Sequence, residues 1–258
     1  MTLTRTVWNR YLAKLRSIND TAAEKMLEWL QKQQTPYTEE TERAMIEYAY
    51  LLTTKYGEAS AAMAAEMYDA TAALENVLFP AALPAEPASI GEVAKAVMGT
   101  AKTGNPEIIS GAVGRLVKLA GVDTTMQNAL RDGAEWAWIP SGDTCAFCIA
   151  LASRGWQQAS KKAIKNGHAE HVHANCDCTY AVRFSPDTEI EGYDPQQYLD
   201  MYYGADLNGD TPTPEHRLNA MRREFYAANR EKILAQKRDA YERSKALNSS
   251  AAEETNVD

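Results

Sequence analysis

Apolar residues recur at helical spacing through the first third of the chain. Trp8, Leu12, Leu15, Ala22, Met26 and Trp29 fall three, four or seven positions apart and make one stripe on a helix. Thr35-Pro36 breaks that helix, and Thr38 is placed to cap the next, with Glu39 and Glu40 at its positive end. Met45, Tyr48, Ala49, Leu52 and Tyr56 resume the 3.6-residue period, and Met63, Met67, Ala70 and Leu74 carry it past Gly57. The pattern predicts two long antiparallel helices over residues 1–79, the second kinked at Gly57.

Three prolines between Pro80 and Pro87 cannot sit in a helix, so residues 80–88 read as a linker. Ser89-Ile-Gly-Glu92 matches a capping box and opens a short helix with Val93 and Val97 inward. Pro106 starts another at its first position, with Ile109, Val113, Leu116 and Ala120 on one face, and Gly121 is read as its end. A third helix is expected from about Asp123.

The period changes after Glu135. Trp136-Ala-Trp-Ile139, bounded by Pro140, reads as a strand. Thr179 to Phe184 alternates, with Tyr180, Val182 and Phe184 on one face. Asp194-Pro195 and Thr213-Pro214 each pair a cap with a first-turn proline, so two more helices follow, the last reaching about Leu247. Residues 248–258 are polar and read as a disordered tail. Asp206-Leu-Asn-Gly-Asp210 resembles a calcium loop only loosely. Its glycine comes two positions early and Arg217 stands where the loop needs Glu, so it reads as a turn.

Composition narrows the class. The 258 residues are 45% hydrophobic and 24% charged, enough for one large domain or two modest ones. A net charge of −8 gives the chain as a whole no general attraction to nucleic acid, although its last helix is basic through Arg217, Arg222, Arg223, Arg230, Lys232, Lys237, Arg238, Arg243 and Lys245. A weak contact of that helix with DNA is one reading, and a solvated face with i,i+4 ion pairs is the other. No apolar run is long enough for a membrane span, and the N-terminus lacks a secretory core, so a reducing, cytosol-like compartment is expected.

The chemistry concentrates in one place. All four cysteines lie in Cys145-Ala-Phe-Cys148 and His173-Ala-Asn-Cys176-Asp-Cys178, with His168 and His171 beside the second group. Thiolate and imidazole are the ligands Zn²⁺ takes in closed tetrahedral sites. Five candidates compete for four positions. Cys145 and Cys148 form one side, and His173, Cys176 and Cys178 contend for the other. The favoured set is Cys145, Cys148, His173 and Cys178, with Cys176 next. Each predicted strand abuts one ligand group, so a small antiparallel sheet clipped by structural zinc is expected; thiols without metal, or disulfides, are the alternative. Zinc deaminases place His-x-Glu ahead of Cys-x-x-Cys. Here His168-Ala-Glu170 follows it, and the order argues against an enzyme. A zinc-dependent hydrolase with Glu170 as its acid–base group, and a zinc-knuckle DNA-binding module, remain the rival readings.

Trp136-Ala-Trp-Ile-Pro-Ser-Gly-Asp-Thr-Cys145-Ala-Phe-Cys148 and His173-Ala-Asn-Cys176-Asp-Cys178 together resemble the phage minor head proteins related to the F protein of phage Mu, particularly those from phages of actinobacteria. The likeness covers about residues 135–184 and carries over onto Asp143, Cys145, Cys148, His173, Cys176 and Cys178, with Ala174 where that family commonly has proline. It implies a virion protein of few copies, bound to the portal or the major capsid protein inside the head. It would be present in the host cytoplasm during assembly and assist head assembly, DNA packaging or ejection. No small-molecule substrate and no membrane are implied. The expected fold is α+β and mainly helical: a hairpin over 1–79, a linker over 80–88, a helical and zinc-knuckle module over 89–192, and a C-terminal helical arm over 193–258.

Overall fold

The computed structural model describes residues 2–34, 36–141, 144–161, 178–235, 237, 238, 241 and 242. The class is the expected one, mainly helical α+β with a small sheet. Helix α1 (Arg5–Leu30) begins at Thr4, whose hydroxyl accepts the Val7 N–H, and buries Trp8, Leu12, Leu15, Ala22 and Met26. Helix α2 (Glu39–Leu74) is capped by Thr38 and carries Glu39, Glu40 and Glu42 in its first turn, where the helix dipole favours carboxylates. It runs on through Gly57. That glycine serves close packing, since a Cβ there would stand 3.0 Å from Pro87 Cβ.

Residues 80–88 are extended, as the prolines require, and are bonded along their length. Ala82 N–H donates to Asp69 Oδ1 (2.8 Å), Leu83 N–H to Asn128 Oδ1 (3.0 Å) and Ala85 N–H to Thr124 Oγ1 (2.9 Å). Arg131 donates to the carbonyls of Pro80 and Ala81. The segment is a strap across α2 and α4. Helix α3 (Ile90–Ala101) then opens with both hydrogen bonds of the Ser89–Glu92 capping box, and Val93 and Val97 are fully buried.

Helix α4 (Pro106–Asp132) corrects the sequence reading. It does not end at Gly121, and no new helix starts near Asp123. A Cβ at position 121 would stand 2.7 Å from Ser60 Oγ and 3.2 Å from the Ser60 carbonyl oxygen, so this glycine marks the close crossing of α2 and α4. The true stop is Gly133, in the left-handed region at φ 67°. α4 packs against α1, α2 and α3, and one hydrophobic cluster unites Met26, Met45, Leu52, Val93, Ile109 and Val113.

Beyond Gly133 the chain enters strand β2 (Glu135–Ile139), the centre of a three-stranded antiparallel sheet. Its neighbours are β3 (Gln157–Gln158) and β4 (Thr179–Arg183), and the β2–β4 register runs from Glu135 opposite Arg183 to Ile139 opposite Thr179. An Arg183–Glu135 ion pair (2.7 Å) closes one end of that register. A second, parallel pairing joins β1 (Thr2–Leu3) to β5 (Glu189–Ile190). Between β2 and β3 lies α5 (Ala146–Ala152). Helices α6 (Pro195–Gly204) and α7 (Pro214–Ala228) start at the expected Asp194 and Thr213 caps. Between them, Asp206–Asp210 forms a turn with Asn208 and Gly209 at positive φ. α7 is interrupted after Ala228, where Asn229 leaves helical geometry; beyond it residues 230–235, 237, 238, 241 and 242 are again helical, and residues 243–247 of the expected helix lie outside the described residues. The predicted tail lies outside the described residues.

Candidate functional site

The antiparallel register brings the chain leaving β2 and the chain entering β4 to one end of the sheet. Ser141, two residues past β2, donates its backbone N–H to Cys178 Sγ at 3.4 Å. Cys145 is the N-cap residue of α5 and Cys148 lies within that helix, so their three-residue spacing puts both on one side of its first turn. Cys148 and Cys178 are each 1% exposed and Cys145 is half-buried. All three belong to a single apolar cluster with Trp136, Trp138, Leu151 and Tyr180.

That cluster is ordered by its rings. Trp138 meets Tyr180 edge-on with centroids 4.8 Å apart, and Trp136 lies 5.6 Å from the same ring. The Lys118 ammonium stands 5.8 Å from the Trp138 ring. Tyr193 anchors α5 by donating its hydroxyl to the Ala152 carbonyl (2.9 Å). Burial pushes the Tyr180 and Tyr193 hydroxyls well above the ordinary tyrosine range, and so holds them protonated. Tyr198, on α6, is raised by burial, against a smaller lowering by the nearby Arg5 guanidinium.

Of the five candidate ligands, the structure places Cys145, Cys148 and Cys178 around this end of the sheet. His173 and Cys176 lie outside the described residues, as do Asp143, His168, Glu170 and His171. Among the described residues no three His, Cys, Asp or Glu side chains gather closely enough to hold a metal ion. The donor chemistry still fits zinc: thiols are soft ligands, and the amide N–H on Cys178 is the kind of outer partner that steadies a thiolate. His216 has another task, with Nδ1 2.7 Å from the Thr211 carbonyl at the start of α7.

Sequence reasoning missed α5, β3 and the tyrosines that wall the cysteines. The apolar run Ala146–Ala152 is too short to show a period, and Tyr193 and Tyr198 reach the cluster from a later element. No helix among the described residues is long and apolar enough to cross a membrane.

No curated protein and no solved structure matches the chain. A family model described as VG15 protein does, over residues 2–205, a span that includes the helices α1 to α4, the strap, the sheet, the cysteines and α6. With well over half its length matched in this way, the chain belongs to the VG15 family of phage proteins.

Proposed function

We propose that this phage protein is a structural, non-enzymatic minor head protein of the Mu F-like type. It docks to the portal or the major capsid protein inside the head and takes part in assembly, packaging or ejection. The observation that carries this reading is the pairing of β2 with β4, which sets Cys145-x-x-Cys148 just after one strand and Cys178 just before the other. In a phage-family chain this is the arrangement to which the resemblance attaches. Zn²⁺ would be held by Cys145 and Cys148 with two of His173, Cys176 and Cys178, His173 and Cys178 being favoured; the three described thiols do not by themselves form such a site. Bound there, the ion supplies rigidity, because a sheet with five-residue strands has little stability alone.

Elemental analysis of protein purified under reducing conditions tests the metal. One zinc per chain is expected, lost in Cys145→Ser and in Cys178→Ser. Co-expression with the portal and major capsid proteins of the same phage tests the docking: the chain should copurify with one of them, and failure to bind either removes the head-protein reading. The basic C-terminal arm is proposed to make a weak, salt-dependent contact with DNA. DNA binding unchanged after deletion of residues 214–258 would remove that part.

A further inference from the structure

The outer face of α7 is basic and aromatic in a chain that is acidic overall. Arg222, Arg223, Phe225 and Tyr226 are all exposed. Arg222 and Tyr226 are one turn apart on one side of the helix, while Ala220 and Met221 bury in a cluster with Ala146 of α5. Local hydrogen bonds order the charges. Arg223 donates to the Asp206 carbonyl (3.2 Å), Arg222 donates to Asn219 Oδ1 (3.2 Å), and Glu224 accepts the Asp206 N–H (2.7 Å). Arg223 and Glu224 are thus both tied to the preceding loop, while Arg222 bonds only within its own helix and stays exposed beside Tyr226. Every lysine or arginine between Pro214 and Ala228 is arginine. Arginine beside exposed rings is the composition of protein interfaces, where lysine is depleted.

A complementary surface lies on the same chain. Along α2, Glu40, Glu47, Leu51 and Glu58 stand at offsets that return to one line of a 3.6-residue helix, and all four are exposed, Leu51 to 61%. Arg43 and Lys55 flank this line. The opposite side of the helix is taken up by Met45, Ala49 and Leu52 in the core. An apolar centre between carboxylates thus faces a pair of exposed rings with two guanidinium groups on the turn before them. Glu47 and Glu58 are about 16 Å apart along the axis, a span that two long arginines beside a tyrosine can cover.

We propose that the α7 face of one copy docks on this α2 line of a second copy, with Tyr226 over Leu51 and Arg222 and Arg223 between Glu47 and Glu58. The two surfaces differ, so the contact is head-to-tail and repeats from copy to copy, giving rings or short chains rather than closed dimers. Sedimentation equilibrium of the full chain at low ionic strength tests it. The wild type should exceed the mass of one chain and fall back toward it at high salt. Arg222→Glu with Arg223→Glu should be monomeric, and so should Glu47→Lys with Glu58→Lys. Mixing the two variants restores opposite charge at both contacts, wild-type arginines on wild-type carboxylates and the reversed α7 on the reversed α2, so the mixture should associate again although each variant alone is monomeric. All substituted residues are exposed, and unchanged melting by circular dichroism would show that the variants fold. A wild type that stays monomeric, or a mixture that stays monomeric beside an associating wild type, overturns the proposal. So does a monomeric wild type that shifts DNA through Arg222 and Arg223, which would assign this face to nucleic acid.

Discussion

Two glycines in helices carry opposite expectations. At Gly121 a methyl group would press on Ser60, including its backbone carbonyl, which cannot swing aside. Gly121→Ala should therefore destabilise the fold by about 1–3 kcal/mol, the usual cost of overpacking. At Gly99, in the exposed part of α3, nothing lies within 4 Å, so Gly99→Ala should stabilise by about 0.5–1 kcal/mol through lower chain entropy. Urea unfolding of both variants checks the pair, and equal signs would refute the close-crossing role given to Gly121. Asp123 offers a test by pH. Burial, with a smaller contribution from Glu92, pushes its carboxyl up to about 6, whereas Glu92 is held low by its bonds to Ser89. The folded chain takes up this proton before the unfolded chain does, so the contribution of Asp123 to stability rises as pH falls from about 6 toward about 4. Asp123→Asn should accordingly raise stability at neutral pH by on the order of 1 kcal/mol. Thermal melts across that window should show the gain vanishing toward about pH 4, and a constant gain would rule out titration as its source.

At the level of elements, the strap over residues 80–88 joins α2 and α4 through bonds that neither helix makes alone. Thr124 is fully buried and its hydroxyl both donates to the Ala120 carbonyl and accepts the Ala85 N–H. Thr124→Val keeps the shape but strands that N–H, so a loss of about 1–3 kcal/mol is expected, together with faster proteolysis within the strap. Chemical denaturation and limited proteolysis measure the two effects; a stability loss without new cleavage would mean that Thr124 does not hold the strap. The same segment shows what could be read from the sequence. Its extended course was legible because proline acts on its own residue and the one before it. The caps at Thr38, Ser89, Asp194 and Thr213 were legible because each is completed within three residues. The partners Asn128 and Thr124 were not, since they stand about forty residues away and nothing local announces them. Gly121 misled for a related reason: a glycine that ends a helix and one that admits a neighbouring helix look alike until the neighbour is placed. The two-residue strands β1, β3 and β5 are too short for alternation and exist only through distant partners. At the site, β2 and β4 were visible as strands, and the cysteine pattern named the donor types. Which donors meet depends on the path of the chain between Ile139 and Thr179, which no local rule fixes.

On the scale of the whole molecule, the cysteines lie where four elements converge: β2 following α4, then α5, β4, and α6 through Tyr198. A metal there would tie the sheet to the arm, and binding free energy would appear as folding stability. The complication is that Cys178 is also a buried core residue, so any substitution there loses packing whether or not zinc is bound. Alanine at that position should cost on the order of 1–2 kcal/mol for the small cavity alone. The two contributions separate in a cycle with a chelator. If Cys178 ligates zinc, a strong chelator should lower the melting temperature of the wild type and leave Cys178→Ala unmoved, so that the gap between them narrows. If Cys178 is only a core thiol, the gap keeps its full size with and without chelator. Cys148→Ala provides the internal comparison, because Cys148 is equally buried and stands on the other ligand pair. Narrowing in both variants would mean that the two sides of the cluster share one ion. Narrowing in one alone would leave the sheet held by packing and by the Arg183–Glu135 pair at its other end.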